Sequence, residues 1–245
     1  MATAPDNIDY ISAAEFCAAY RALAFANCQG FIMDTTLDVT WSLHGVTTEE
    51  AVATRQSELL WLIGTWLKER HLPIFSVWVL EVGPTYGLHS HIVMHMPARL
   101  EAEFRDFVAQ GLTHLLCVPL RDAEESTTFK LQARGGEVTF AQWQRFRYML
   151  KGIDPWAIVA SKDQMPDQPL TKVAGLDYHF QGTINRPRLG ISPDIGDAAQ
   201  RRWQTVVDLP DMEVKVDAPP RYNDFFLHWH DQHIDHLRAA RLVSK

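Results

Sequence analysis

Two runs of strand-forming residues with a glycine-marked turn between them constrain this chain more than any other feature. Ile74 to Val82 is mostly β-branched and aromatic, Leu88 to Met96 continues in the same style, and Gly83-Pro84 and Gly87 stand between them. Turn residues at that spacing predict a β-hairpin. Centred on Thr85, it pairs Glu81 with His89 and Val79 with His91. Side chains alternate faces at period 2, so Glu81, His89, His91 and His95 point the same way.

Histidines two apart on a strand stand about 6.6 Å apart at Cα, close enough to share a cation. A carboxylate directly across supplies a third ligand and leaves positions open for substrate, the pattern of a catalytic metal site. His95, roughly 13 Å beyond His91 along the strand, is a neighbour of the groove and not a ligand. His89 and His91 taken alone also fit half-buried strand histidines; Glu81 at the mirror position favours the metal reading.

The chain has 245 residues, enough for one good core and an appended segment. No apolar run approaches the ~18 residues of a membrane span. Met1 to Asp9 is polar, with no signal-like apolar core, so a cytoplasmic protein without a membrane partner is expected. Cys17, Cys28 and Cys117 are widely spaced without a CxxC, which fits reduced, buried thiols. The net charge of −7 restricts nucleic-acid binding to a local basic groove.

In chain order, Ser12 opens a helix to about Ala26, and Phe31 to Trp41 forms a strand. Its Ile32, Asp34, Thr36, Asp38 and Thr40 share one face; Phe31, Met33, Leu37, Val39 and Trp41 share the other. Asp34 and Asp38 fit a solvated face better than contact with a metal or substrate, which that face also allows. A helix from Thr48 to about Arg70 precedes the hairpin. A helix over Leu100 to Gln110, closed by Gly111, follows it. Thr113 to Leu120 and Thr127 to Ala133 are candidate strands, with Gly135-Gly136 as a turn. From Phe31 onward this is β-α-β-β-α-β. That order predicts an α+β, ferredoxin-like antiparallel sheet with its helices on one face and extra C-terminal helices. The domain reading is residues 1–160 for this unit and 161–245 for a loop-rich, partly helical extension.

The helix Thr139 to Lys151 carries Trp143, Phe146 and Leu150 as its apolar stripe. Tyr148 lies about 150° from the centre of that stripe, with Lys151 on the neighbouring turn. An ordinary surface tyrosine and a functional one both fit that position. Arg186, Arg188, Arg201 and Arg202 form the only locally basic region of note and are the candidate phosphate contacts, with a solvated loop as the alternative. Tyr222 to Leu242 reads as a helix; its His228, His230, His233 and His236 fit a histidine-rich surface helix better than a metal cluster. No P-loop motif is present.

Glu81, then His89-Ser90-His91, then Tyr148-Met149-Leu150-Lys151 on a helix after the sheet resembles the HUH endonucleases, and within them the rolling-circle replication initiators of plasmids and phages. The resemblance covers roughly residues 31–152. Ser90 departs from it, because a hydrophobic residue stands between the two histidines in that family. The resemblance implies Mg²⁺ or Mn²⁺ held by Glu81, His89 and His91, and attack on single-stranded DNA by Tyr148 to give a 5′-phosphotyrosine. Lys151 would stabilise the phosphate or promote ionisation of the tyrosine. It further implies a replication origin as partner and, without an ATPase domain, a separate helicase and polymerase. A non-catalytic single-stranded DNA or RNA platform, a single-tyrosine transposase or relaxase, and a water-using phosphodiesterase are the alternatives.

Overall fold

A computed structural model describes residues 9–131, 138–159, 168–174, 176 and 178–206. The expected turn at Gly135-Gly136 and the histidine-bearing tail lie outside the described residues.

The first helix, α1 (Ala13–Cys28), opens on a capping box in which Ser12 and Glu15 satisfy each other's backbone N–H groups. Strand β1 (Thr35–Thr40), helix α2 (Glu49–Glu69), the hairpin β2 (Ser76–Gly83) and β3 (Gly87–Met94), helix α3 (Glu101–Leu116), short α4 (Leu120–Glu125) and β4 (Thr127–Leu131) follow. Then come α5 (Val138–Met149), the small pair β5 (Ile158–Val159) and β6 (Gln168–Pro169), α6 (Leu170–Ala174), β7 (Leu189–Ile191) and α7 (Asp197–Val206). The main sheet is antiparallel throughout, in the order β4-β1-β3-β2-β7. Its first four strands have the predicted ferredoxin-like arrangement. β7 adds a fifth strand beside β2, and Leu170, Ala174, Leu189, Ile195 and Ala199 join the core, so described residues between 170 and 199 pack on the same body.

The hairpin register is the predicted one. Glu81 pairs with His89, Val79 with His91 and Gly83 with Gly87. Gly87 adopts φ +59°, and a Cβ there would stand 2.5 Å from Ser42 Oγ, which accepts from Leu88 N at 2.8 Å. Both the turn and this close approach require glycine.

The crossover helices α2 and α3 share one face of the sheet, as expected. There Leu59, Ile63, Trp66 and Leu67 of α2, with Phe104, Val108, Leu112 and Leu115 of α3, cover Leu37, Val39, Leu80, Ile92 and Met94. The opposite face carries α1 and α5. Phe16, Tyr20, Trp143, Phe146 and Leu150 pack there on Val77, Val79 and Val93 and leave the other end of that face to polar residues. Met33 packs on this second side, not with Leu37 and Val39, because it precedes the start of β1.

The expected strand Thr113 to Leu120 does not form. The helix runs through Gly111 to Leu116 and closes on Cys117 in the left-handed conformation. Gly111 lies inside the helix and is not a cap; a Cβ there would make only ordinary contact with Leu62 of α2. Glycine inside a helix costs about 1 kcal/mol. Burying Leu112 and Leu115 in line with Phe104 and Val108 offsets that cost. Cys117 is therefore exposed, contrary to the expectation of buried thiols, whereas Cys17 is buried and its thiol is pushed up to about 11 by that burial. No helix among the described residues is long and apolar enough to cross a membrane.

Candidate metal centre

The polar end of the second sheet face is built by three strands and one helix. β2 supplies Glu81, β3 supplies His89 and His91, and β1 supplies Asp38, which pairs directly with His91 across the ladder. The ligand atoms of Glu81, His89 and His91 all lie within 4.8 Å of one another. His89 Nε2 is 3.4 Å and His91 Nε2 is 3.3 Å from Glu81 Oε2.

Each imidazole is oriented from behind. His89 Nδ1 stands 2.9 Å from the Gly87 carbonyl, and His91 Nδ1 stands 2.7 Å from Asp38 Oδ1. A carbonyl or carboxylate can only accept, so in the neutral rings both Nδ1 atoms carry the proton and both Nε2 lone pairs face the triad. That support from behind is what a metal-binding histidine needs. Glu81 Oε1 and His91 Nε2 are buried without a hydrogen-bond partner among the described residues. Although His91 Nε2 is near Glu81 Oε2, it is not aimed at it as a hydrogen bond. Two buried lone-pair atoms without hydrogen bonds are costly unless a cation accepts them. The buried Glu-His-His group can therefore bind a divalent metal ion.

Without a cation, protons can take its place: the electrostatics here are those of protonated imidazole facing carboxylates. Burial would raise the Glu81 carboxyl, but the close approach of His89 and His91 and the charge of Lys151 outweigh it and hold the group below the usual range. Burial likewise opposes ionisation of Asp38, and His91 and Arg145 reverse it. Burial would lower His91, whereas Asp38 and Glu81 together carry it above its ordinary value.

Helix α5 brings the remaining residues. Tyr148 is half exposed (50 %), and its ring stands edge-on to His91 at 5.5 Å between centroids. Lys151 Nζ donates to Glu81 Oε2 at 2.7 Å and lies 4.1 Å from the centre of the Tyr148 ring. Arg145, one turn earlier, pairs with Asp38 and lies 5.0 Å from the same ring. The sequence pattern does not single out Arg145, and it favours a solvated face for Asp38 over the site contact that it also allows. The i, i+3, i+6 spacing of Arg145, Tyr148 and Lys151 was the available signal for one shared helix side. Tyr86, 56 % exposed, stands 6.2 Å from His89 on the turn side.

Ser90 lies between the two histidines but on the other face, fully buried. Its Oγ accepts from Trp41 Nε1 at 2.6 Å and is hydrogen-bonded to Gln56. A polar partner network on the α2 side therefore accounts for a serine where an apolar residue was expected. His95 follows the end of β3, with Nδ1 2.8 Å from the Ile32 carbonyl, and is not among the grouped ligands.

The four arginines expected to contact phosphate do not form one surface. Arg188 is 4 % exposed, bonded to the Gly182 carbonyl, and burial lowers its pKa, against the charge of nearby Glu81. Arg186 is exposed and stands 4.0 Å from Glu50 at the start of α2. Arg201 and Arg202 are exposed on α7, which packs on α1. Arg188 anchors the segment that runs beside β2. Its carbonyl accepts from Leu80 N at 2.8 Å, Gln181 O accepts from Val82 N at 3.1 Å, and Lys151 O accepts from His179 N at 3.0 Å. That segment ties the hairpin to the end of α5. Comparison with known proteins gives no matching family model, no matching curated protein and no matching solved structure.

Proposed function

We propose that the chain is a metal-dependent nuclease of the HUH type that nicks and rejoins single-stranded DNA through a covalent Tyr148 intermediate, as rolling-circle replication initiators do. One observation carries the reading. A half-exposed tyrosine stands against a metal-ligand histidine, with an ammonium group bridging its ring and the ligand carboxylate. Packing does not account for Tyr148, because the buried side of α5 is made by Trp143, Phe146, Met149 and Leu150.

Glu81, His89 and His91 would hold Mg²⁺ or Mn²⁺, and their mixed donor set suits Mn²⁺. The ion would polarise the scissile phosphate and add positive charge to a site where Asp38 and Glu81 already balance Arg145 and Lys151. Tyr148 supplies the nucleophile. Its phenolic oxygen bonds to phosphorus, the bond from phosphorus to the 3′-oxygen breaks, and that oxygen takes up a proton while the phenol releases one. One phosphoester replaces another, so the reverse reaction rejoins the strand. Lys151 stands where it can neutralise phosphate charge as the phosphoryl group approaches Tyr148. Against a net charge of −7, Arg145 and Lys151 bring cationic groups to the site, each paired with a carboxylate, and Arg186, Arg201 and Arg202 remain the exposed candidates for the flanking strand. On this reading the enzyme works in the cytoplasm on a replication origin and relies on a separate helicase and polymerase.

The test is incubation of the full chain with a random pool of single-stranded oligonucleotides and Mn²⁺. A protein–DNA adduct that survives denaturation and maps by mass spectrometry to Tyr148 is expected, and Tyr148→Phe should lose cleavage and adduct together. An adduct on Tyr86 would overturn the nucleophile assignment. Cleavage without an adduct would point to hydrolysis by water.

A further inference from the structure

We infer that Arg145 is a positioning residue: it clamps Asp38 against Nδ1 of His91 and so holds His91 in the tautomer that turns its Nε2 lone pair toward Glu81 and His89. The inference rests on the metal assignment made above.

The geometry is a three-group relay. Asp38 Oδ1 accepts from His91 Nδ1 at 2.7 Å and from the Arg145 guanidinium. Both donors share that one oxygen, which explains why Arg145 Nη2 and His91 Nδ1 stand 3.4 Å apart although a protonated Nδ1 cannot accept from the guanidinium. An imidazole has two neutral tautomers of similar energy, and only one places a lone pair in the triad. The carboxylate selects that one, but an Asp side chain on a strand can rotate away. Arg145 removes that freedom, because its planar fork is fixed from α5 and packed on the Tyr148 ring. The helix that carries the nucleophile thus also sets the ligand, so a shift of α5 would disturb both. A half-buried ion pair that merely fastened α5 to β1 would stabilise the fold without governing His91.

The experiment measures Mn²⁺ affinity by calorimetry, and the His91 ring-nitrogen shifts by NMR without paramagnetic metal, on the full chain without DNA. Its failure is therefore distinct from failure of the nuclease reading. Wild-type protein should show His91 protonated on Nδ1. Asp38→Asn should weaken Mn²⁺ binding about 10- to 100-fold, as loss of an outer partner of a metal ligand does. Arg145→Met, which keeps the apolar stem, should weaken it about 10-fold and show a mixture of tautomers. The double variant should bind no more weakly than Asp38→Asn alone, because Arg145 acts through Asp38. If Arg145→Met does not fold, Arg145→Gln, which keeps a neutral donor, takes its place in the same comparison. Unchanged Mn²⁺ affinity and tautomer in the folded Arg145 variant, or full additivity in the double variant, would overturn the inference.

Discussion

The two faces of the sheet are built from alternate residues of the same strands, yet they follow opposite rules. On the α2/α3 face, Leu37, Val39, Leu80, Ile92 and Met94 meet an apolar helical surface, and the buried Ser90 has its partners in Trp41 and Gln56. On the α1/α5 face, Val77, Val79 and Val93 give way at one end to Asp38, Glu81, His89 and His91, set against Arg145 and Lys151 from α5. Ion pairs this buried contribute little net stability, since desolvation offsets attraction. Lone pairs left without partners there are a further cost. One face is optimised for folding; the other keeps an expensive arrangement that only a ligand makes sense of.

His91 and Ile92 test this most directly, being adjacent in sequence and on opposite faces. Ile92→Ala should cost about 2–5 kcal/mol in denaturant unfolding and leave Mn²⁺ affinity of the folded protein unchanged. His91→Ala should do the reverse, abolishing measurable Mn²⁺ binding and adduct formation while the denaturation midpoint moves little. Loss of metal binding in folded Ile92→Ala would break the comparison. Next in size is Ser90→Ala, which strips Trp41 Nε1 of its acceptor and should cost about 1–3 kcal/mol with wild-type metal affinity.

A smaller effect is the pH profile with a chelator present. Asp38 and Glu81 are held low, so their contribution is present above the unfolded carboxylate range of ~4 and fades as pH falls through their folded values. His91 is held high, so its contribution is present below ~6.5 and fades as pH rises through its folded value. The site should therefore contribute most between ~4 and ~6.5. Mn²⁺ requires neutral His91, so its stabilising effect should grow with rising pH. Thermal melts across pH with and without Mn²⁺ check this; a Mn²⁺ effect that shrinks as pH rises would contradict it. The smallest expected change is Arg186→Ala, within about 0.5 kcal/mol in stability because its ion pair is exposed. If Arg186 touches DNA, the salt dependence of binding should flatten by about one phosphate contact. Arg188→Met, by contrast, should lower the melting temperature and leave the salt slope intact, because that side chain is buried.

The sequence by itself determined the hairpin, its register and the shared direction of Glu81, His89 and His91. Two-residue alternation and a glycine turn are local rules, and nothing distant can change which side a strand residue points. It also determined that Tyr148 lies off the apolar stripe of its helix, since helical spacing fixes that angle. Only the tertiary structure decided that Asp38 backs His91, because the pairing joins strands 53 residues apart. Only it decided that Arg145 reaches Asp38, which depends on how α5 is laid across the sheet. The same holds for Arg188, whose charge suggests a surface that packing denies it, and for residues 113–116, where apolar, strand-like composition yielded to the helix because Leu112 and Leu115 found a core to enter. Burial and long-range pairing are properties of the whole chain, and a local pattern carries no record of them.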